Sequence, residues 1–137
     1  MATVQVRYIV REIDPAIEFY TKQLGFHLDM HPAAPFAMLS HGDLRLVLSV
    51  PNGGGGGGQP MPDGSIPQPG GWNRFAIQVD NIEAMVNRLR SAGAHFRNDI
   101  VTGVGGKQII LDDPAGNPIE LFQPTIDAAR VGEKRED

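Results

Sequence analysis

The sequence predicts an α+β fold: two βαβββ modules forming curved mixed sheets around a ligand trough, with helices on the outside. One observation is a degenerate repeat, because a 69-residue shift aligns the apolar positions of the two halves: Val10 with Val79, Ile13 with Ile82, Ile17 with Val86 and Tyr20 with Leu89. The other is local periodicity. Apolar residues alternate in the predicted strands and recur every three to four residues in the predicted helices.

Residues 1–51 make the first predicted module, which begins with an alternating strand over residues 4–10. Asp14 is the expected N-cap of the following helix and Pro15 its first residue. Gly25 suits the C′ position, where a left-handed backbone ends a helix. The apolar stripe of this helix is predicted to contain Ile17, Phe19, Tyr20 and Leu24.

Three further strands complete this module, at residues 26–30, 36–40 and 44–50. Pro32 and Pro35 are expected to break the chain after the first of them. The segment His41-Gly42-Asp43 predicts a hairpin turn between the other two.

Residues 52–71 contain a six-glycine run and several prolines, which predicts a linker loop. A phosphate-binding loop is disfavoured because no Lys-Ser/Thr pair follows the glycines. Residues 72–124 are the second module: a strand at 73–79, a helix capped by Asp80-Asn81 and ended by Gly93, and three further strands. The first of these begins at 95–96, with a strand end and turn over 100–106, and the other two lie at 107–111 and 118–122. Residues 125–137 form a tail whose charged end, 133–137, is expected to fray.

The composition disfavours several classes of protein. A net charge of −4 and a pI near 5.5 argue against a nucleic-acid binder, which shows a basic surface. No apolar run approaches the ~20 residues that span a bilayer, and no secretory signal is evident, so a cytoplasmic location without membrane contact is expected. Absence of Cys excludes disulfides, thiolate metal sites and Cys nucleophiles.

Two motifs are similar to those of a known family. Residues 10–20, VREIDPAIEFY, are followed by Leu24-Gly25-Phe26, and residues 113–121 read DPAGNPIEL. Both resemble the vicinal oxygen chelate superfamily of glyoxalase I, extradiol dioxygenases, fosfomycin-modifying enzymes and bleomycin-binding resistance proteins. The resemblance covers residues 4–124 and implies the fold, a bound small molecule and a homodimer. It does not imply one activity, since one fold hosts many chemistries.

The resemblance also points to four ligand positions used by the metal enzymes of this family. They align here with Gln5, Val47, Arg74 and Glu120, and strand alternation places all four opposite the Leu/Ile stripe. Val has no donor atom and the guanidinium of Arg has no free lone pair. Gln5 and Glu120 alone would remain if a metal ion were bound, so the expected cofactor is none and the alternative is one divalent ion.

Other side chains on the same predicted faces are candidate ligand contacts: Arg7, Arg45, Trp72, Gln78 and Phe122. The three arginines could bind an acidic ligand, or Arg7 and Arg45 could lie at strand ends in water. Glu120 could be a base or metal ligand, or could pair with Arg74. Trp72 could line a cleft with Phe36 and Met38, or pack in the core.

The remaining titratable residues have predominantly structural interpretations. Asp112-Asp113 sits within the turn motif, which favours a structural role. His27, His31, His41 and His95 fall at none of the ligand positions, so they predict no second metal site.

Three functions remain open at this level. The first is a metal-free protein that binds or sequesters a small, partly aromatic or acidic compound, such as an antibiotic. The second is a divalent-metal lyase or dioxygenase with an atypical ligand set, or a metal-free isomerase with Glu120 as base. The third is an accessory domain whose trough is vestigial.

Overall fold

The computed structural model describes residues 4–53 and 57–132 and has the βαβββ order in both halves of the chain. Contacts divide the chain into two compact units, Met1–Gly71 with Asp113–Asn117, and Trp72–Asp112 with Pro118–Asp137. The predicted boundaries fall at 51/52 and 71/72, so the predicted linker, 52–71, lies within the first of these units, as do residues 113–117 of the predicted second module. The predicted charged tail, 133–137, lies outside the described residues.

The first unit contains a four-stranded mixed sheet: β1 (Val4–Ile9), β2 (His27–Ala33), β3 (Phe36–His41) and β4 (Leu44–Ser49). Its strand order is β1-β4-β3-β2, with β1 and β4 parallel and the other pairs antiparallel. Helix α1 (Ile13–Glu18) contacts β3 and β4. The apolar side of the sheet buries Tyr8, Leu39, Leu46 and Leu48.

The first helix differs from its prediction at both ends. It begins at Ile13 with Glu12 as N-cap, so Asp14 lies in the first turn, where a carboxylate suits the positive end of the helix dipole. A π-helical turn, Phe19–Gln23, continues the helix to Leu24, and Gly25 has the predicted positive φ, 76°. Early in the helix the buried residues are Ile13 and Ala16, whereas Ile17 and Phe19 are half-buried.

The predicted break at Pro32 is wrong, because β2 runs through Pro32 to Ala33. A strand at the edge of a sheet can include a proline, since its N–H position need not donate to a neighbouring strand. Two register shifts in the pairing of β2 with β3 accompany this irregular strand. Phe26, predicted as the first residue of this strand, precedes it and is buried.

The second unit contains β5 (Phe75–Gln78), β6 (His95–Phe96), β7 (Val101–Thr102), β8 (Gly106–Asp112) and β9 (Pro118–Pro124). Its order is β5-β9-β8-β6, with β7 also paired to β8, so this sheet has five strands instead of four. The outer strand is split between β6 and β7. In the gap, Asn98 Oδ1 accepts a 2.9 Å hydrogen bond from Ile110 N and so replaces a ladder bond.

Helix α2 (Ile82–Ser91) confirms its predicted cap. Asn81 Oδ1 accepts a 3.0 Å hydrogen bond from Ala84 N, which satisfies one of the unpaired amides of the first turn. The buried side chains are Ile82, Val86 and Leu89. The helix contacts β9, and the described residues of this unit contain no second α-helix that could cover the opposite face of the sheet.

The turn between β8 and β9 is built around Asp113. Its Oδ1 accepts hydrogen bonds from the amides of Ala115 (2.8 Å) and Asn117 (2.9 Å), and its Oδ2 accepts one from the Tyr20 hydroxyl (2.8 Å). Asn117 Nδ2 also donates to Ile9 O at 2.7 Å, at the end of β1. The structural role predicted for this turn is therefore confirmed: its side chains fix the end of β1 and the π-helical turn.

In the described part of the chain, no helix is both long and apolar enough to cross a membrane.

Candidate functional site

Each sheet has one face that its helix covers and one that it does not, here called the helix-free face. In the first sheet the register places Gln5, Arg7, Arg45, Val47 and Ser49 on this face. In the second sheet it places Ala76, Gln78, Glu120 and Phe122 there. The proposed ligand contacts that lie in strands are thus on helix-free faces, as alternation predicted, whereas Arg74, predicted within a strand, precedes β5.

The register also shows which residues of the two sheets are equivalent. Arg7 lies opposite Val47 in the first sheet, and Ala76, 69 positions after Arg7, lies opposite Glu120 in the second. Val47 and Glu120 are therefore repeat mates. The first unit has a buried aliphatic side chain, 3% exposed, where the second has a carboxylate.

Both cations of the first helix-free face have a partner within the unit, although Arg7 is exposed and Arg45 is half-buried. Arg7 Nη1 donates a 2.8 Å hydrogen bond to Ser49 Oγ. Arg45 Nε lies 3.1 Å from Asp29 Oδ2, and Asp29 Oδ1 accepts a 3.0 Å hydrogen bond from Ser40. The charge of Arg45 is thereby balanced within the unit.

The end of the glycine run, Gly57 and Gly58, lies at this same face. The base of the glycine-rich loop is closed by a 2.5 Å hydrogen bond from Asn52 N to Gly58 O. Gly57 lies against the side chains of Arg7 and Ser49, and a Cβ atom there would overlap the guanidinium. Gly57 and Gly58 are thus part of the first unit, and Gly57 covers one end of its helix-free face.

In the second unit, the predicted ion pair between Arg74 and Glu120 is confirmed. Arg74 Nε and Nη2 each lie 3.0 Å from Glu120 Oε1, and both side chains are mostly buried, 27% and 16% exposed. Arg74 Nη1 also donates to the carbonyl oxygen of Trp72 at 3.3 Å. One oxygen of the candidate base is therefore held by a guanidinium that also fixes the backbone at Trp72.

Core packing of Trp72, one of the two alternatives, is wrong: the residue is 69% exposed. Its ring lies 4.7 Å from the guanidinium carbon of Arg97, within cation–π range. Arg97 Nε in turn donates a 2.6 Å hydrogen bond to Asp112 Oδ1, and His95 Nδ1 lies 3.0 Å from Asp112 Oδ2. The exposed indole of Trp72 thus packs against Arg97, and Asp112 in turn fixes the orientation of Arg97.

Sequence reasoning missed Arg97 and assigned Asp112 to the turn. The strand register explains the omission, because Arg97 follows β6 and Asp112 ends β8, and only the pairing of His95 with Asp112 brings them together. The signal available in the sequence was alternation: Arg97 is two residues beyond His95 and therefore on the same side of the chain.

On the helix-free face of the second sheet, the side chain of Gln78 contacts the protein backbone. Its Nε2 donates to Val131 O at 2.9 Å and its Oε1 accepts from Val131 N at 2.8 Å. Phe122, the cross-strand neighbour of Gln78, is half-buried.

The donor atoms on these faces do not suit a divalent metal ion. Divalent ions need several oxygen or nitrogen lone pairs. In the second unit Glu120 is paired with a guanidinium, and in the first unit Gln5 supplies one neutral oxygen and Val47 none. Within residues 4–53 and 57–132, no three His, Asp or Glu side chains cluster in a way that could hold an ion.

Comparison with family models identifies the superfamily to which this architecture belongs. A model described as Glyoxalase/Bleomycin resistance protein/Dioxygenase superfamily matches residues 3–121. The chain belongs to this superfamily. The family resemblance stated from the sequence is thereby confirmed, together with the paired βαβββ modules. Comparison with curated protein sequences gave no significant match.

Solved structures of superfamily proteins share the fold at low identity. Lactoylglutathione lyase from Agrobacterium tumefaciens is 18% identical with a TM-score of 0.68, and the match covers 89% of this chain and 92% of that one. The fosfomycin resistance protein FosX from Listeria monocytogenes is 13% identical, with a TM-score of 0.70 and coverage of 95% and 98%. Both comparisons support the fold alone.

A third solved structure has higher identity. TnmS3, an antibiotic binding protein from Streptomyces sp. CB03234, is 26% identical, with a TM-score of 0.63, and the match covers 91% of this chain and 99% of that one.

Proposed function

We propose that this protein is a cytoplasmic, metal-free binding protein that holds a small, partly aromatic or acidic compound on its helix-free faces. The observation that carries the proposal is the ion pair of Arg74 with Glu120. The carboxylate that a metal enzyme of this superfamily would use as a ligand is neutralised by a neighbouring guanidinium instead. The arrangement favours holding a molecule over activating it through an ion.

The surroundings of Trp72 support an aromatic part in the ligand. An indole that is mostly exposed has a free surface on which a planar group can stack. Its ring is oriented by Arg97 and its carbonyl by Arg74, so little side-chain freedom is lost when a ligand binds. A preorganised aromatic surface of this kind suits a planar ring system.

The similarity to TnmS3 supports sequestration of an antibiotic as one form of this function. The proposal includes a homodimer as well. Among the described residues of the first unit, no strand pairs with the outer edges of β1 and β2, and such edges are commonly covered by another chain.

The experiment uses the single tryptophan of the chain as the probe. Titration with planar aromatic acids and glycopeptide antibiotics is expected to change Trp72 fluorescence saturably, with the stoichiometry checked by calorimetry. Trp72→Ala is expected to weaken binding measured by calorimetry by tenfold or more, the order of a lost stacking contact of about 1–3 kcal/mol. Val104→Ala, at a position 93% exposed, is the matched control and should bind normally.

Elemental analysis separates this proposal from the metal-enzyme alternative. Protein purified without chelators should contain no stoichiometric Zn, Ni, Mn or Fe, and added chelator should leave ligand binding unchanged. A full complement of one of these metals, lost together with binding on chelation, would overturn the proposal and favour a lyase or dioxygenase. Loss of a measured turnover in Glu120→Gln, with the fold retained, would favour the isomerase.

A further inference from the structure

Gln78 holds a backbone segment of its own chain in a way that resembles ligand recognition. The two bonds of its amide both go to Val131, one to the carbonyl oxygen and one to the N–H. A residue presents its N–H and C=O on the same side when it lies in an extended chain beside a partner strand. The side-chain amide of Gln78 therefore pairs with one amino-acid residue in the way that the backbone of a neighbouring strand would.

The segment that carries Val131 is here called the C-terminal strap, residues 125–132. It leaves β9, is held by a 3.0 Å hydrogen bond from Thr125 N to Gly105 O, and passes through a 3-10 turn at Asp127–Ala129. It then reaches Gln78 on the helix-free face of the second sheet, beside Phe122. One end of the proposed binding face is thus occupied by the protein's own backbone.

The contact depends on the backbone of Val131 and not on its side chain. Val131 is 67% exposed, and none of residues 125–132 is buried. The strap therefore lacks the apolar anchoring that would make its detachment costly, and segments of this kind open locally at low free energy. Gln78, by contrast, is fixed within β5.

We propose that Gln78 is a recognition site for peptide-like ligands, and that Val131 fills it when no such ligand is bound. This inference rests on the proposed function and names a chemical class for part of the ligand. The class is an acylated amino acid amide, whose N–H and C=O flank one tetrahedral carbon as those of Val131 do. A ligand of this class displaces Val131 and takes over both hydrogen bonds.

Competition with the strap predicts how affinity responds to changes in Val131. The observed affinity is reduced by the fraction of molecules in which the strap is closed, so a variant that opens the strap should bind more tightly. Val131→Pro removes the N–H that Gln78 accepts, whereas Val131→Ala leaves both backbone groups in place. Both variants replace the exposed side chain of Val131, but only Val131→Pro also removes the hydrogen bond from the backbone N–H to Gln78.

The test uses the full chain and two probes, N-acetylvaline N-methylamide and its ester analogue, in which oxygen replaces the valine N–H. Binding is followed through the NMR signals of the backbone amides of β5, which every variant retains. The amide probe should bind Val131→Pro about tenfold more tightly than wild type or Val131→Ala. The ester probe should bind at least tenfold more weakly than the amide. Gln78→Met in the Val131→Pro background should abolish the preference for the amide.

Equal binding of amide and ester, or equal affinities of Val131→Pro and Val131→Ala, would overturn the inference. These outcomes leave the Trp72 titration unaffected. Failure of every planar compound to change Trp72 fluorescence, with the amide probe still bound at Gln78, would overturn the proposed function and retain the recognition site.

Discussion

The hydroxyl of Tyr20 donates a 2.8 Å hydrogen bond to Oδ2 of Asp113, 93 residues later in the chain. Both groups are buried, and Asp113 also accepts bonds from two turn amides and from the side chain of Asn117. A single carboxyl group thus satisfies four donors. Because buried donors without partners are costly, the family turn motif contributes to stability mainly through this residue.

Tyr20→Phe and Asp113→Ala should destabilise the protein to different extents. Removing the hydroxyl leaves Asp113 Oδ2 with the bond from Asn117, so the expected loss in free energy of unfolding is about 1–2 kcal/mol. Removing the carboxyl leaves the Tyr20 hydroxyl and two amides without an acceptor, and the expected loss is about 3 kcal/mol or more. Urea unfolding measures both.

Asp43→Asn, at an exposed position in the turn after β3, is the control and should change the free energy of unfolding by less than about 0.5 kcal/mol. Equal losses in Tyr20→Phe and Asp113→Ala would contradict the central role given to the carboxyl group.

Tyr20 also predicts a loss of stability at alkaline pH. Burial raises the pKa of Tyr20 well above its ordinary value of 10.0, and the charge and hydrogen bond of Asp113 raise it further. Above pH 10 the unfolded chain releases this proton while the folded protein keeps it. The free energy of unfolding therefore falls as pH rises past 10, by up to about 1.4 kcal/mol per pH unit from this residue.

Comparison of wild type with Tyr20→Phe between pH 8 and pH 11.5 isolates this contribution. The wild-type curve should fall more steeply above pH 10, whereas below pH 10 the difference between the two proteins should be constant. Parallel curves over the whole range would show that Tyr20 ionises equally in the folded and unfolded states.

The sequence predicts a feature of this molecule wherever side-chain pattern and repeat agree. Strand alternation placed Val47 and Glu120 on the faces opposite the Leu/Ile stripes, and the strand registers confirm this. The pairing of Arg74 with Glu120 followed from placing opposite charges on one face. Both predictions depend on alternation, which is a property of the strand backbone and survives wide changes in sequence.

The features that escaped prediction depend on groups that leave no side-chain signal. Gln78 contacts the backbone of Val131, so the identity of residue 131 carries no information about the contact. Gly57 and Gly58 act through the absence of a side chain, and a six-glycine run is typical of a flexible linker. The partner of Arg97 depends on the register of the short strand β6.

The ion pair of Arg74 and Glu120 should contribute more than a fully exposed pair. Both side chains are mostly buried, so water and salt screen the charges less than at the surface. A double-mutant cycle with Arg74→Met and Glu120→Gln should give a coupling energy of about 0.5–1 kcal/mol, read from urea unfolding. The coupling should decrease in 1 M NaCl, though it should not vanish.

The pair of Glu18 with Lys22 is the matched control, because its side chains are 67% and 71% exposed. Its coupling should be at most about 0.3–0.5 kcal/mol and should disappear in 1 M NaCl. If both cycles gave the same coupling energy, the ion pair of Glu120 would contribute no more than an exposed surface pair. The central argument for a metal-free site would then weaken.

Alanine substitutions in the glycine-rich loop should rank by what the new Cβ atom meets. At Gly58 it would overlap the backbone carbonyl of Val50, which cannot move without breaking the base of the loop, so Gly58→Ala should cost about 1–3 kcal/mol in free energy of unfolding. At Gly57 it would meet the tip of the flexible Arg7 side chain, which can rotate away. Gly57→Ala should therefore cost about 1 kcal/mol, the value of the lost bond between Arg7 and Ser49.

Gly103 is the control for this series, since a Cβ atom there has only an ordinary contact, 3.9 Å from Gly106 O. Gly103→Ala should lie within about 0.5 kcal/mol of wild type in urea unfolding. If the loop is folded onto its sheet, the loss of stability should decrease in the order Gly58→Ala, Gly57→Ala, Gly103→Ala. A freely moving linker would instead accommodate alanine at Gly58 and Gly57 as easily as the control position Gly103 does. Three indistinguishable variants would show that the loop does not rest on Arg7 and Ser49 in solution.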